Sequence, residues 1–315
     1  MTEPKSRRHE VRSVVVLTNP AAGHGNAPHA AERAIAHFQK RGVKCVQIVG
    51  VDADDALRLS RKALEHNPDA FVVTGGDGVI SIALQALAGS GIPLGIIPAG
   101  TGNDHAREYD LPVEAPEDAV DVVVDGWSTS VDLGRIVRPD GTEKWFGTVM
   151  ATGFDSLVSD RTNRMKWPHG RMRYNFAIVA EFFNLKPLPF KIVLDGDPAS
   201  TSGETVIEKD LTLVAFGNTR SYGGGMLIAP DADRSDGLLD VTVVDAGPRF
   251  RLIRLFPTVF KGKHVNLPDV HTYRAKSARV ESPGITAYAD GEFASDLPVT
   301  VSAVPDALRI LVPKP

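Results

Sequence analysis

The 315-residue chain predicts an α/β N-terminal domain with a parallel sheet, followed by a mostly antiparallel β-sandwich domain. Three observations carry this. Short apolar strands alternate with helical stretches up to about residue 130, the pattern of βαβ units. Beyond that point the segments are β-rich and punctuated by Gly, Pro and Asp. Finally, three glycine-rich loops each follow a predicted strand of the first half.

Residues 13–18 (SVVVLT) read as a buried strand, and an Ala-rich helix over 27–41 ends at Gly42. A strand over 43–49 precedes a helix over 52–67, whose acidic first turn suits the helix dipole. A strand over 70–74, a helix over 79–89 and a strand over 92–98 complete the alternation. In the second half, strands are predicted at 131–138, 144–152, 190–195, 205–216, 238–244, 277–281 and 297–303, and helices at 171–184 and 249–261. The segment 307–313 reads as a strand returning to the first domain. The domains are therefore drawn as 1–130 with 305–315, and 131–304, with no low-complexity linker between them.

Composition narrows the function. With 35 Lys+Arg against 39 Asp+Glu the net charge is −4, which argues against nucleic acid as a partner. One cysteine, Cys45, excludes an internal disulfide and a Cys-based metal site, and fits a reducing compartment such as the cytoplasm. Cys45 lies in a predicted strand and is expected in the core. The polar N-terminus is not followed by the apolar run of a signal peptide. No apolar stretch reaches the ~18–20 residues needed to span a bilayer, so membrane contact would be peripheral. Nine histidines are scattered without an H-E-x-x-H pair, and most are expected at the surface.

In a parallel sheet, ligands bind beyond the C-terminal strand ends. The loops there are NPAAGHG (19–25), TGGDG (74–78) and PAGTGND (98–104). Glycine lets backbone N–H groups approach an anion closely. One such loop would be an ordinary turn, whereas three at one edge point to a polyphosphate site built from backbone. Neither the G-x-x-x-x-G-K-[ST] loop nor the G-x-G-x-x-G fingerprint is present. The candidate contacts are Asn19, Gly23 and Gly25; Thr74, Gly75, Gly76, Asp77 and Gly78; and Gly100, Thr101, Gly102 and Asn103.

These three motifs at this spacing resemble the diacylglycerol/sphingosine lipid kinase family, most closely its soluble bacterial, actinobacterial-type members. The likeness continues in VDLG (131–134), TGFDS (152–156), YGGGMLIAPDADRSDGLLDV (222–241) and ADGE (289–292), so it covers nearly the whole chain. The resemblance implies an NAD kinase/diacylglycerol kinase-like fold with an active site in a cleft between the domains. It implies ATP-dependent, Mg²⁺-dependent phosphorylation of 1,2-diacylglycerol to phosphatidic acid, feeding phospholipid biosynthesis, by a cytoplasmic enzyme peripheral at the inner face of the membrane. Asp77 would anchor a water-bridged Mg²⁺ network joined by Asp104 and Asp132. From the residues alone, Asp104 reads equally as a helix cap and Asp132 as a solvated strand-end acid. YADGEF (288–293) reads by itself as a plain hairpin, Asp-Gly being a strong turn signal. The resemblance makes Glu292 the general base, with Asp290 close by. It also implies a structural Mg²⁺ on the Asp236 carboxylate and the carbonyls of Leu238 and Asp233, steadying the YGGG loop.

Two positions depart from the family pattern. Val79 stands where a threonine usually follows GGDG, and a second threonine is replaced near Gly50. Both losses bear on how the nucleotide is gripped. The segment 160–174 carries Arg161, Arg164, Lys166, Arg171 and Arg173 with Trp167 and Tyr174, which suits an anionic membrane surface or, equally, a solvated helix start. A sphingoid base or ceramide as acceptor, an NAD kinase, a non-catalytic nucleotide- or lipid-binding regulator and a homodimeric assembly are the alternatives left open.

Overall fold

The computed structural model describes residues 6–18, 26–154, 187–248, 255 and 257–314. The chain divides into two compact units, Met1–Leu133 with Val304–Pro315, and Gly134–Ala303.

The first unit opens with β1 (Ser6–Arg8) and β2 (Ser13–Thr18), then α1 (Asn26–Lys40), β3 (Lys44–Val49), α2 (Ala53–Leu64), β4 (Ala70–Gly75), α3 (Asp77–Leu87) and β5 (Leu94–Pro98). A short α4 (Asp104–Glu108) and α5 (Pro116–Asp125) lead into β6 (Trp127–Val137), which runs on into the second unit. The sheet order is β3-β2-β4-β5, closed by the end of β16 (Val299–Leu311), and every neighbouring pair is parallel. β4 and β5 are buried along their whole length, as expected of strands covered on both faces. The local chemistry agrees with the fold. Asp52 caps α2 by accepting from the Asp55 N–H at 2.8 Å, and Asp54 and Asp55 occupy its first turn. Val14, Val16, Phe38, Val72, Ile97, Val120, Val123 and Leu311 form the core under α1 and α5.

In the second unit, β7 (Glu143–Phe146), β8 (Val149–Gly153), β9 (Leu188–Asp195), β10 (Glu204–Gly217), β11 (Leu239–Asp245), β12 (Val270–Ala275), β13 (Ser277–Glu281), β14 (Thr286–Ala289) and β15 (Glu292–Asp296) precede β16. The order is β15-β14-β8-β10-β9-β13-β16, all antiparallel, with β11 on the far half of β10 and β12 beyond it. Phe146, Met150, Phe190, Ile192, Phe216, Val243, Ala287 and Val301 fill its core.

Several expectations are corrected. The strand expected over 144–152 is two strands, because the N–H groups of Gly147 and Thr148 turn out of the ladder to bond Asp290. The strands expected at 297–303 and 307–313 are one, β16. Cys45 is half-buried on β3, which ends the sheet, and burial raises its thiol pKa to about 11. The helix expected at 171–184 and the basic segment 160–174 lie outside the described residues. Of the helix expected at 249–261, residues 255 and 257–259 are described as helical. Among the described residues no helix is long and apolar enough to cross a membrane.

Candidate active site

In the first unit, the loops after β4 and β5 meet backbone to backbone. A Cβ added at Gly100 would lie 2.4 Å from the Gly76 Cα, so only glycine fits this crossing. Gly76 is also the N-cap of α3, which places Asp77 in that helix's first turn, where the dipole favours an anion. Asn103 closes the second loop on itself. It takes a left-handed conformation at φ 52°, accepts from the Gly100 N–H at 3.1 Å and donates its amide to the Gly100 carbonyl at 3.1 Å.

Asp77 accepts from the Asp104 N–H at 3.3 Å, the His105 N–H at 3.3 Å and the His105 ring Nδ1 at 3.1 Å. Burial opposes ionisation of this carboxyl. The imidazole and the two backbone donors outweigh it and hold the pKa below the usual carboxylate range. A Cβ on Gly102 would lie 2.8 Å from Asp77 Oδ2 and 3.7 Å from Asp104 Oδ2, so the two carboxylates flank one point. Asp104 is not the cap of α4. Asn103 holds that position, and Asp104 sits in the first turn, paired with Arg107 at 2.5 Å. Arg107 also donates to the Gly102 carbonyl at 2.8 Å. Asp132 is no solvated acid. It is 3% exposed within β6 and accepts from the Asp306 N–H at 3.0 Å.

Among the remaining nucleotide candidates, Thr74, next to last in β4, is fully buried, and its hydroxyl has no partner among the described residues. Gly75 and Gly78 bracket the turn into α3, and Thr101 is exposed. Asn19, Gly23 and Gly25 lie outside the described residues. Val79 is buried in α3 and packs in the core. Gly50 has its own structural reason, since a Cβ there would stand 2.5 Å from the Ala56 backbone nitrogen.

In the second unit, Asp290 and Gly291 form a two-residue turn between β14 and β15, both at positive φ (51° and 80°). Asp290 is buried and accepts from the N–H groups of Gly147 (2.9 Å) and Thr148 (2.8 Å) and from the Thr148 hydroxyl (2.6 Å). Glu292 follows, exposed, at the start of β15. Lys144 is half-buried and donates to the carbonyl of Phe293, the residue after Glu292, at 2.5 Å. Burial lowers its pKa, with Glu292 and Asp290 pulling the other way.

The acid-rich turn of the second unit is tied to β12. Asp236 accepts from the Leu238 N–H at 3.0 Å and pairs with Arg274. Asp233 accepts from the Ser235 N–H at 3.0 Å. Burial, with Asp231 and Asp233 nearby, pushes the Asp240 carboxyl up to about 6. Four carboxylates, Asp231, Asp233, Asp236 and Asp240, gather here with Arg274 against two of them, and carboxylate and carbonyl oxygens are the donors a hard cation takes. At Asp236 it would share the carboxylate with Arg274. Among the described residues no group of three or more His, Cys, Asp or Glu side chains is placed to hold a metal. The expected set of one carboxylate and two carbonyls is a different kind of site. The neighbouring YGGG turn carries Gly223, Gly224 and Gly225 at φ 60°, 83° and 101°, closed by paired hydrogen bonds between Tyr222 and Met226.

Sequence reasoning missed His105, Arg107 and Lys144. His105 and His264 are buried rather than superficial. The signal for His105 was its place directly after PAGTGND.

Residues 13–136 match the family described as diacylglycerol kinase catalytic domain, and residues 148–312 the YegS C-terminal NAD kinase beta sandwich-like domain. A diacylglycerol kinase of Mycobacterium tuberculosis H37Rv is 60% identical over 314 residues, 100% of this chain and 99% of the relative. A diacylglycerol kinase of Bacillus subtilis 168 is 25% identical over 305 residues, 95% of this chain and 96% of the relative. Among solved structures, a diacylglycerol kinase from Bacillus anthracis Sterne gives a TM-score of 0.75 at 21% identity, covering 97% of this chain and 98% of that one, a likeness of fold.

Proposed function

The chain belongs to the diacylglycerol kinase family, and from that premise we propose that it transfers the γ-phosphoryl group of ATP to 1,2-diacylglycerol, forming phosphatidic acid. The observation that supports this best is Asp77, an ionised carboxylate in the first turn of α3, set where two glycine loops touch. Phosphoryl transfer needs positioning, charge neutralisation and a proton acceptor rather than covalent chemistry from the protein.

Asp77 and Asp104 suit Mg²⁺, because a pair of hard oxygen donors with backbone N–H support favours a small cation held through water. When bound, that ion would neutralise charge on the β- and γ-phosphates. The backbone amides of residues 75–78 and 101–103 receive phosphate oxygens, and Asn103, holding the Gly100 N–H, keeps the second loop in shape. Asp132, buried and bonded to the Asp306 amide, completes the acidic set. Glu292 takes the proton of the lipid hydroxyl as the new P–O bond forms and the bond to ADP breaks. Asp290 holds the turn that presents Glu292. The Asp236 carboxylate and the carbonyls of Leu238 and Asp233 would hold a second, structural Mg²⁺ that steadies this turn. The enzyme works in the cytoplasm, reaching its lipid at the membrane surface as a peripheral protein.

Incubation with γ-labelled ATP and a panel of diacylglycerol, sphingosine, ceramide and NAD tests the reading. Label is expected in phosphatidic acid. Label in ceramide or sphingosine alone would transfer the assignment to that alcohol, and label in NADP alone would overturn it.

A further inference from the structure

Among the described residues β15 ends its sheet, pairing with β14 only. Its register with β14 slips between Ala287 and Tyr288, leaving Ala294 as an extra residue with no partner across the ladder. Ala294 and Ser295 of this strand are buried, whereas Glu292 and Phe293 before them are exposed. The side chains of the β6–β7 hairpin supply what a neighbouring strand would. Lys144 Nζ donates to the Phe293 carbonyl at 2.5 Å, and Arg138 Nε donates to the Ala294 carbonyl at 2.9 Å. Two residues beyond Lys144 on the same segment ends β7, and the next two amides grip Asp290. The four residues from Asp290 to Phe293 are thus tethered at both ends, with Glu292 between the tethers.

Lys144 differs from Arg138 in one respect. Its bond to the Phe293 carbonyl sets its ammonium one residue along from Glu292, and the negative charges of Glu292 and Asp290 favour its protonated form against burial and the like charge of Arg138. An ammonium in this half-buried place has three donors, of which the Phe293 carbonyl uses one. We propose that Lys144 is a positioning residue for the phosphoryl-transfer step, fixing the Glu292 carboxylate by bonding the adjacent carbonyl and setting a positive charge beside it. This rests on the reading of Glu292 as the base. Lys144 forms no bond to substrate in this scheme, so its removal affects turnover rather than nucleotide binding.

The experiment compares Lys144→Met, Lys144→Arg and Glu292→Gln, and the Lys144→Met/Glu292→Gln double variant, in the full-length chain with ATP and diacylglycerol, after thermal melting has confirmed folding. Lys144→Met is expected to lower kcat by ~10-fold or more with KM for ATP unchanged, and Lys144→Arg to recover most of it. In the Glu292→Gln background the same Lys144→Met change is expected to cost little, since the group it positions is gone. If Lys144→Met does not fold, Lys144→Gln, with a shorter neutral donor, reads the same split. Wild-type kcat in a folded Lys144→Met or Lys144→Gln variant, with Glu292→Gln strongly impaired, would overturn this proposal alone. Full activity in Glu292→Gln would overturn the base assignment beneath it.

Discussion

His105 meets one oxygen of Asp77 twice, through its backbone N–H at 3.3 Å and its ring Nδ1 at 3.1 Å. The ring is almost fully enclosed, with 3% of the side chain exposed, so it holds the carboxylate from the protein side. Hydrogen bonds to a charged acceptor are stronger than neutral ones and fix direction as well.

His105→Phe keeps the backbone donor and removes the ring donor. It is expected to lower kcat/KM by ~10-fold, while Asp77→Asn, which removes the charge itself, lowers it by ~10²-fold or more. Steady-state kinetics with saturating lipid check the order. Equal losses would mean that the ring does more than orient.

Gly100→Ala places a methyl group 2.4 Å from the Gly76 Cα. Neither backbone can yield without moving a loop, so a loss of ~1–3 kcal/mol in urea unfolding is expected, with weakened ATP binding. Gly89→Ala is the comparison. It meets no atom within 4 Å and carries only the strain of φ 72°.

Asp290 and Glu292 should separate stability from turnover. Asp290→Ala strands the amides of Gly147 and Thr148 in a buried place and is expected to cost ~2–4 kcal/mol. Glu292→Gln changes an exposed side chain and should leave the melting temperature unmoved while turnover falls by ~10²-fold or more. Both readouts come from the same two purified variants.

Much of this was legible because it is local. The alternation of SVVVLT, KCVQIV and AFVVT with helical segments set the parallel sheet, and Asp-Gly at 290–291 set the hairpin. What stayed hidden depends on partners far along the chain. Nothing near Asp132 announces that the Asp306 amide will reach it, and nothing near Gly147 announces that Asp290 will divide a strand in two there. Nothing in the sequence around Lys144 singles it out, because its partner is a carbonyl 149 positions away.

Two titratable groups shifted by burial, the half-buried Asp240 and the buried His264, give opposite pH slopes. Asp240 has a folded pKa of about 6 against an ordinary 3.8, so the folded state binds its proton more readily. Its unfavourable contribution grows as pH rises through that interval and is complete above it. Asp240→Asn is therefore expected to stabilise the protein most above pH ~6 and least near pH ~4. Burial lowers the His264 pKa from 6.5, the bond to the Ile228 carbonyl opposing. The stability that goes with its neutral ring is present above pH ~6.5 and is lost on acidification towards the folded pKa. Urea unfolding of wild type, Asp240→Asn and His264→Gln in metal-free buffer from pH 4 to 8 checks both signs.

Strand β16 begins beside β13 and ends with Ile310 opposite Leu94 of β5. A ribosome building the chain finishes β5, every residue of which is enclosed in the mature protein, about two hundred residues before the segment that covers its flank. Throughout that interval Leu94, Ile96 and Ile97 belong to an uncovered sticky rim. The flank of β5 is therefore shielded only once the segment around Ile310 has been made and has docked, not when residue 133 is complete.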